Sequence, residues 1–312
     1  MEIIIVAIVA SALRLATPLI FAAVGGAFSE RSGVVNIALE GMMVIGAFFS
    51  ILFTDITGNP WVGVLAAMIT GGIAALLLAI VAIHLKGNQV VMGTAINLLA
   101  VGLTSYVLQI VYKRFGQTDA VRHTLTRNPE SLRFLERIPF LGEHLFADLT
   151  PFVYLAWLVV IIAYYVMFKT PFGLRLRAVG EHPKAADTVG IHVYKIRYIC
   201  VLISGCLAGI GGATLTVGYT ALFREHMVSG RGFIALAALV FGKWHPVGAA
   251  FACLFFGLTE AISIQGNMLG IPVPTEFMRM LPYISTIIIL IVVGGKAVGP
   301  AASGQPYDKG EE

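Results

Sequence analysis

The sequence predicts an all-α integral membrane protein, a polytopic bundle of about nine helical spans, with roughly eight to ten as the range. Of its 312 residues, 58% are hydrophobic and only 12% are charged, which is about half the charged fraction of ordinary soluble domains. Apolar runs long enough to cross a bilayer recur along the whole chain. They lack the two-residue alternation of lipid-facing barrel strands, so helices are the predicted elements.

Nine apolar runs are predicted to form the spans. The first carries no basic segment before it and is too long for a cleavable signal peptide, so it is predicted to be a span. The seventh is too short to cross an apolar core of about 30 Å unaided, so it is either a half-helix or continuous with the eighth. The predicted ranges are 3–26, 36–53, 61–83, 89–111, 151–168, 198–220, 232–243, 247–264 and 279–295.

The polar segments between these runs predict the topology of a single transmembrane domain. The short connections that carry Lys86 and Lys243 favour a cytoplasmic location for their side of the bundle, which also holds 169–197. The N-terminus then lies outside, and 297–312 is a cytoplasmic tail that is expected to fray because it is polar and contains Gly and Pro. The segment 113–150 is extracellular, either as an interfacial helix or as a contact for a delivering partner.

The segment 169–197 is the one long polar interruption that is predicted to fold. Pro183 stands where a first helical residue is favoured, and Gly190 stands just past the expected end. Lys184, Ala185 and Ala186 are good helix formers and no β-branched residue comes before Thr188, so a short helix from Pro183 to Val189 is predicted. The pattern alone leaves two interpretations open, a docking knob that faces the cytoplasm or an ordinary basic connecting loop.

Two further patterns concern the arrangement of the spans. Gly205 and Gly209 form a GxxxG pair, a spacing that lets helix backbones approach closely in lipid. In addition, Ser29–Arg31 precedes GVVNIALEG and Ser229–Arg231 precedes GFIALAALVFG. On the predicted topology the first lies inside and the second outside, which is the arrangement of two inverted repeats.

Four polar residues within the predicted spans are candidates for a substrate passage, namely Asn36, Glu40, Asn97 and Glu260. An ionisable side chain in the apolar core costs about 2.5–3.5 kcal/mol on insertion scales, so such groups face the bundle interior or a wet pathway. Asn36 and Glu40 are four residues apart and share one helix face. The alternative is structural hydrogen bonding, with Asn36 capping the second span and Glu40 paired with Arg31.

The sequence lacks the motifs of common catalytic, cofactor and metal sites. It contains no Walker A sequence, no HExxH, no GxSxG and no GxGxxG after a strand, so it is not expected to be an enzyme. Its cysteines, Cys200, Cys206 and Cys253, lie in predicted spans without CxxC spacing, which argues against a zinc site. A net charge of +4 fits membrane loops better than a nucleic-acid surface.

Three blocks of the sequence carry a family resemblance. They are FSERSGVVNIALEGMMVIGAFFS at 28–50, GLRLRAVGEHPKAADTVGIHVYKIR at 173–197 and GRGFIALAALVFGKWHPVGA at 230–249. Together they resemble the permease subunits of bacterial ABC importers for nucleosides, ribose-type sugars and branched-chain amino acids. The first block is most similar to the nucleoside branch, and the resemblance covers most of 1–312.

The resemblance implies a set of partners and a mechanism. Such permeases pair with a second, related permease and with cytoplasmic ATPase subunits, and an extracellular solute-binding protein, often a lipoprotein, delivers the substrate. The loop between the fifth and sixth spans would carry the coupling helix that seats in the ATPase. In this sequence that role falls to Glu181, Pro183, Ala185, Ala186, Gly190 and Ile191. The implied function is the import of a nucleoside, a small neutral polar solute, across the bacterial cytoplasmic membrane by alternating access.

Two other functions remain open at this point. The first keeps the transporter class and changes the solute to a ribose-like sugar or a branched-chain amino acid. The scarcity of ionisable residues deep in the spans favours a neutral solute over a charged one. The second is a secondary carrier that works without ATP and uses Glu40 or Glu260 for proton coupling.

Overall fold

The computed structural model describes residues 2–126, 149–268 and 298–309, together with residues 277, 280, 284–288 and 291. The regular secondary structure of these residues is helical, and their one β-type pairing is an isolated bridge between Gln117 and Arg224. The helices, in chain order, are α1 Glu2–Arg31, α2 Leu39–Thr57, α3 Pro60–Ala79, α4 Gln89–Tyr112, α5 Pro151–Lys169, α6 Pro171–Glu181, α7 Pro183–Thr188, α8 Val193–Leu215, α9 Arg231–Phe241 and α10 Pro246–Met268.

Seven of the described helices are long and apolar enough to cross a membrane, and they correspond to the first six predicted runs and the eighth. Two of them are extended by a π-helical turn, Ile80–His84 after α3 and Thr216–Thr220 after α8. The seventh run forms α9, which has 11 residues. A turn at Lys243–His245 separates α9 from α10, so the half-helix interpretation of this run is confirmed.

Parts of two predicted segments lie outside the described residues. The ninth predicted span, 279–295, is described only at 280, 284–288 and 291, which are helical. The proposed interfacial helix of 113–150 falls within 127–148, which also lies outside. The described residues at the start of 113–150 are hydrogen-bonded to the loop after α8, since the Thr118 N–H donates to the Phe223 carbonyl at 2.9 Å. This part of the segment therefore packs on the bundle.

Capping residues set the end of α2 and the starts of α3 and α4. α2 ends where Gly58 takes a positive φ of 67°, a conformation that costs glycine little. α3 then starts with Pro60 in its first turn, where the side chain of Asn59 accepts a backbone N–H. The side chain of Asn88 accepts two N–H groups at the start of α4. These caps set the starts of α3 and α4, which agree with the predicted starts at 61 and 89, whereas α1 and α2 extend past the predicted ends at 26 and 53.

The centre of the bundle is α8, which packs against α1, α2 and α3. The GxxxG pair lies at its crossing with α3, because a Cβ added to Gly209 would lie 2.1 Å from the Ala67 carbonyl oxygen. A Cβ added to Gly205 would lie 2.4 Å from the Gly71 carbonyl oxygen. The prediction that these small residues allow a close backbone approach is therefore confirmed.

The prediction that the C-terminal tail frays is wrong for residues 298–309. The Ala302 N–H donates to the Gly180 carbonyl at 2.9 Å, and the Gly304 N–H donates to the Gly33 carbonyl at 3.1 Å. Tyr307 is only 5% exposed. The tail stays ordered because loops at this end of the bundle offer carbonyl groups that composition alone does not reveal.

Candidate functional site

The predicted coupling segment folds as two short helices at one end of the bundle. α6 begins after Thr170, whose hydroxyl accepts the Gly173 N–H at 3.3 Å. Near the other end of α6, a Cβ added to Gly180 would lie 2.0 Å from the Arg31 carbonyl oxygen. Because no side chain fits there, the α6 backbone lies directly against the end of α1. α7 follows α6 after a single residue, so its start lies near the end of α1 as well.

The end of α7 is fixed by a Schellman motif. The Ile191 N–H donates to the Ala186 carbonyl at 3.0 Å, and the Gly190 N–H donates to the Asp187 carbonyl at 2.9 Å. Gly190 has a φ of +83°, which disfavours side chains with a Cβ. The predicted helix from Pro183 is confirmed and ends one residue earlier than expected, at Thr188. α7 is therefore a defined helix and not an irregular loop.

The six predicted coupling residues divide into an outward and an inward set. Glu181, Ala185 and Gly190 are exposed, and Pro183 and Ile191 are partly buried. Ala186 is 3% exposed and belongs to the apolar core, so it supports α7 from behind and does not enter a groove of another subunit. The outward face also presents Val189, which is 74% exposed. Sequence reasoning missed Val189, although its position four residues after Ala185 puts both on one helix face.

The tail completes this surface. Burial, and after it the interaction with Asp187 on α7, raises the pKa of Tyr307. Lys309 lies 3.6 Å from the Asp187 carboxylate. Asp308 pairs with Lys86 in the connection between α3 and α4. Connections that are far apart in sequence thus meet around α7.

A second polar cluster lies inside the bundle, where the N-termini of α2 and α9 meet. The carboxylate of Glu40 accepts the Gly230 N–H at 2.8 Å and the Gly232 N–H at 2.7 Å. A Cβ added to Gly232 would lie 2.4 Å from the Glu40 nitrogen, so glycine is needed for the two helix ends to approach. Each N-terminus carries unpaired N–H groups and a partial positive charge, which the carboxylate offsets.

Arg231 extends this cluster to α10. Its Nη2 donates to the carboxylate of Glu260 at 2.8 Å, and its charge also acts on Glu40. Tyr219 lies near Arg231, Glu260 and Arg14, and its buried hydroxyl has no hydrogen-bond partner among the described residues. Glu260 lies 14 residues into α10, or about 21 Å from its start, which puts the cluster well inside the bundle.

Sequence reasoning found Glu40 and Glu260 but missed Arg231, Tyr219 and Arg14 as their neighbours. Arg14 stands out in the sequence because it is a basic residue within an apolar span. Arg231 gives a weaker signal, since it borders an apolar run and is expected near a membrane surface. No sequence signal distinguishes Tyr219 from other tyrosines near span ends.

The two predicted asparagines are engaged by the protein itself. Asn36 is fully buried, donates to Ser204 at 2.8 Å and accepts the Ala38 N–H at 3.1 Å. Asn97 accepts the Gly41 N–H at 2.7 Å and donates to a carbonyl just before α2. Both residues hold the non-helical segment 32–38 and the first turn of α2. They stand behind Glu40, which they help to place.

The alternative pairing of Glu40 with Arg31 is wrong. Arg31 Nε instead donates to the Trp244 carbonyl at 2.8 Å, and the Trp244 indole N–H donates to Glu30 at 2.5 Å. Asn36 is also not the N-cap of α2, since that position is Ala38. Glu40 lies beyond the reach of Arg31 because the chain turns into the bundle between the two residues. Proximity in sequence was a poor guide here.

Chemically, this arrangement can bind and position but it holds no metal-ligand cluster among the described residues. The interior cluster combines carboxylates, a guanidinium group and a phenol at the start of a half-helix. Interrupted helices whose ends point into the bundle are the usual setting of solute sites in transporters. The end of the bundle that holds α6 and α7 offers a rigid, exposed helix instead. The described residues therefore provide one candidate site for a solute and one for a protein partner.

Comparison with known proteins identifies close relatives. The guanosine ABC transporter permease protein NupQ of Bacillus subtilis is 47% identical over an alignment of 312 positions, which covers 97% of this chain and 97% of its own. The nucleoside ABC transporter permease protein NupC of Lactococcus lactis subsp. cremoris is 42% identical over 97% of this chain and 96% of its own. The putative glucose ABC transporter permease protein TsgC13 of Haloferax volcanii is 34% identical over 89% of this chain and 88% of its own.

A family model extends this result to most of the chain. The family described as "Branched-chain amino acid transport system / permease component" matches residues 8–291. No solved structure gives a significant match. Permeases of this kind work in the cell membrane together with ATPase and substrate-binding subunits. The chain therefore belongs to the permease component family of branched-chain amino acid transport systems, and it is a membrane permease subunit of an ABC transporter and not an enzyme.

Proposed function

We propose that this permease imports a nucleoside, and that purine nucleosides are its first candidate substrates. The observation that carries the proposal is the 47% identity, over 97% of both chains, to a permease named for guanosine. The relative with 42% identity is named for nucleosides. A ribose-like or hexose sugar is the second candidate, because the relative with 34% identity is named for glucose. A secondary carrier is set aside, since all three are ABC transporter subunits.

The solute passes the interior cluster around the start of α9. Glu40, Glu260, Arg14 and Arg231 together carry no net formal charge, which suits a neutral solute. Carboxylates accept from ribose hydroxyl groups and base N–H groups, while guanidinium and phenol groups donate to base carbonyl and ring nitrogen atoms. Asn36 and Asn97 support this passage from behind, through the first turn of α2.

ATPase subunits dock on α7 from the cytoplasm. The support is mechanical, because a helix closed by a Schellman motif and pressed against α1 through α6 transmits displacement that a flexible loop absorbs. Glu181, Ala185 and Val189 form the exposed part of the contact, with Pro183 and Gly190 fixing its ends. ATP-dependent states must contact this surface differently for the docking to drive alternating access.

The proposed function as an ABC importer also implies the remaining parts of the transporter. The segment 169–197 and the tail 297–312 are cytoplasmic, and 113–150 is extracellular, where a solute-binding lipoprotein delivers the substrate. A second, related permease completes the passage, and lipid covers the rest of the bundle. The chain 1–312 forms one domain of eight spans and the half-helix α9, with the last span at 279–295.

We also retain the inverted repeat as part of the proposal. α2 and α9 start head to head at Glu40 and Gly232. From there they run to opposite ends of the bundle, α2 to the outer turn at Gly58 and α9 to the inner turn at Lys243. Two interrupted helices in opposite directions are the expected product of inverted repeats.

Reconstitution tests the substrate assignment. Proteoliposomes that hold the complete transporter, with its ATPase, partner permease and binding protein, are supplied with ATP inside and radiolabelled guanosine outside. Unlabelled nucleosides should compete, whereas ribose, glucose and leucine should not. Uptake should stop when ATP is omitted. Competition by ribose or glucose but not by nucleosides overturns the assignment in favour of a sugar, and competition by leucine alone overturns it in favour of an amino acid.

A further inference from the structure

The C-terminal tail makes bonds to three separate parts of the inner end. Main-chain hydrogen bonds join Ala302 to Gly180 in α6 and Gly304 to Gly33 after α1. The Tyr194 hydroxyl in α8 donates to the Tyr307 carbonyl at 3.3 Å. These bonds use backbone groups of the tail, so they depend on its path and not only on its side chains. A tail of 12 described residues thus bridges helices that are otherwise joined through the bundle.

Arg197 is the deepest of these attachments. It is 1% exposed, and its Nε donates to the Ser32 carbonyl at 3.2 Å while its Nη1 donates to the Gln305 carbonyl at 3.1 Å. A Cβ added to Gly33 would lie 2.8 Å from its Nη2, so the segment after α1 presses directly on the guanidinium group. One buried cation on α8 therefore holds the tail and the segment after α1 together.

Tyr307 connects this assembly to α7. Its buried ring lies against Tyr194 in a tilted arrangement, with 5.5 Å between centroids, and its hydroxyl lies beside Asp187, whose carboxylate is 3.6 Å from Lys309. An open groove of about 480 Å³ lies between the start of α7 and the tail. The tail contacts α7 at Asp187, one turn before Gly190.

We propose that residues 298–309 act as a tie, with Tyr307 and Arg197 as positioning residues, that carries a displacement of α7 to α1 and α8. This inference rests on the proposed docking of the ATPase on α7. Without the tie, α7 is joined to α8 through the packing of Ala186 in the apolar core and through the short connection after Gly190, whose positive φ marks a bend. With the tie, a shift at Asp187 moves Tyr307, Gln305 and the backbone on which Arg197 holds the end of α1.

The test compares docking with coupling in the complete reconstituted transporter. Tyr307→Ala removes the ring and the hydroxyl beside Asp187, and Tyr307→Phe removes the hydroxyl alone. Gln305→Ala is the matched control, because Arg197 binds the main-chain oxygen of Gln305, which alanine retains. The readouts are ATPase co-purification with the permease, ATP hydrolysis and solute uptake per ATP.

The tie predicts that Tyr307→Ala retains ATPase co-purification and hydrolysis while uptake per ATP falls by roughly 5- to 150-fold, the usual range of coupling effects. Tyr307→Phe should give a smaller loss in the same direction, and Gln305→Ala should behave as wild type. If Tyr307→Ala does not fold, the phenylalanine variant decides. Normal uptake per ATP in these variants, or loss of ATPase co-purification, overturns the tie. Val189→Glu tested in parallel separates the two proposals, because retained co-purification there refutes the docking on α7 itself.

Discussion

The contact between Glu40 and the start of α9 gives the sharpest prediction. Two backbone N–H groups, those of Gly230 and Gly232, donate to the two different oxygens of this carboxylate at 2.8 and 2.7 Å. Glu40→Gln replaces one of the oxygens by an NH₂ group, which faces an N–H donor and cannot accept from it. Glu40→Leu removes both acceptors. The expected order of impairment is therefore leucine, then glutamine, then wild type.

The magnitude follows from the bonds lost. A hydrogen bond to a charged group contributes about 1.5–3 kcal/mol, and an N–H left without a partner in a partly buried site adds to the loss. Glutamine forfeits one such bond, which shifts the equilibrium between bound and released α9 by roughly 10- to 150-fold. Leucine forfeits both. The charge of Glu40 also attracts Arg231, so both variants remove a favourable charge interaction from that guanidinium group.

Two measurements read this directly. Hydrogen exchange of the peptide 228–234 should accelerate in the predicted order, and nucleoside uptake by the complete transporter should fall in the same order. Asp119→Asn is the control for hydrogen exchange, since this carboxylate is 69% exposed and pairs with Arg114 at the surface, a pair expected to contribute about 0–1 kcal/mol. If Glu40→Leu leaves exchange and uptake at wild-type values, the proposed role of Glu40 in holding α9 is wrong.

Three other features predict measurable effects. At the crossing of α8 with α3, Gly209→Leu should abolish a monodisperse permease in size-exclusion chromatography, whereas Gly102→Ala, at a glycine with no neighbour within 4 Å, should be tolerated. Burial and the charge of Arg31 lower the pKa of His245 from 6.5; the stability from neutral His245 is present above that value and is lost as the pH falls through the lowered pKa. The melting temperature should thus drop between pH 7.5 and about 5.5, and His245→Phe should reduce that drop. Arg231→Lys keeps the charge but loses the planar fork, so nucleoside uptake should fall several-fold while expression is unchanged.

Features with local causes could be predicted from the sequence. α7 was predicted because Pro183 and Gly190 act within one helix turn of its ends. The close crossing of α8 was predicted because Gly205 and Gly209 recur at a spacing that any helix places on one face. For α9, the run length left a half-helix and continuity with the next run as the two interpretations, and the structure shows the half-helix. In each case the physical cause lies within a dozen residues of the feature.

Features that depend on distant partners could not be predicted in this way. Glu40 and Gly230 are 190 residues apart, and no residue pattern near Glu40 identifies this partner. The predicted pairing of Glu40 with Arg31 is wrong because the chain turns into the bundle between these two residues, so neighbours in sequence are separated in space. The tail was expected to fray because its composition is polar, yet Arg197 and the loop carbonyls supply its bonding partners. In a membrane bundle such long-range polar contacts decide which residues matter, since apolar surface alone does not distinguish one helix neighbour from another.

The two candidate sites are connected through α9. Its start is held by Glu40, and at its end the turn containing Trp244 is bonded to Glu30 and Arg31 in the last turn of α1. The same end of α1 is pressed against α6 at Gly180. A half-helix of 11 residues, about 16 Å long, therefore reaches from the inner end, where the ATPase is proposed to act, to the cluster where the solute is proposed to pass. Because both ends are fixed by polar bonds and the rod between them is a helix, a rotation of the end of α1 must either move the start of α9 or break its bonds to Glu40. Either outcome changes the environment of Glu40, so α9 is the connection that we propose between ATP-driven motion and the solute passage.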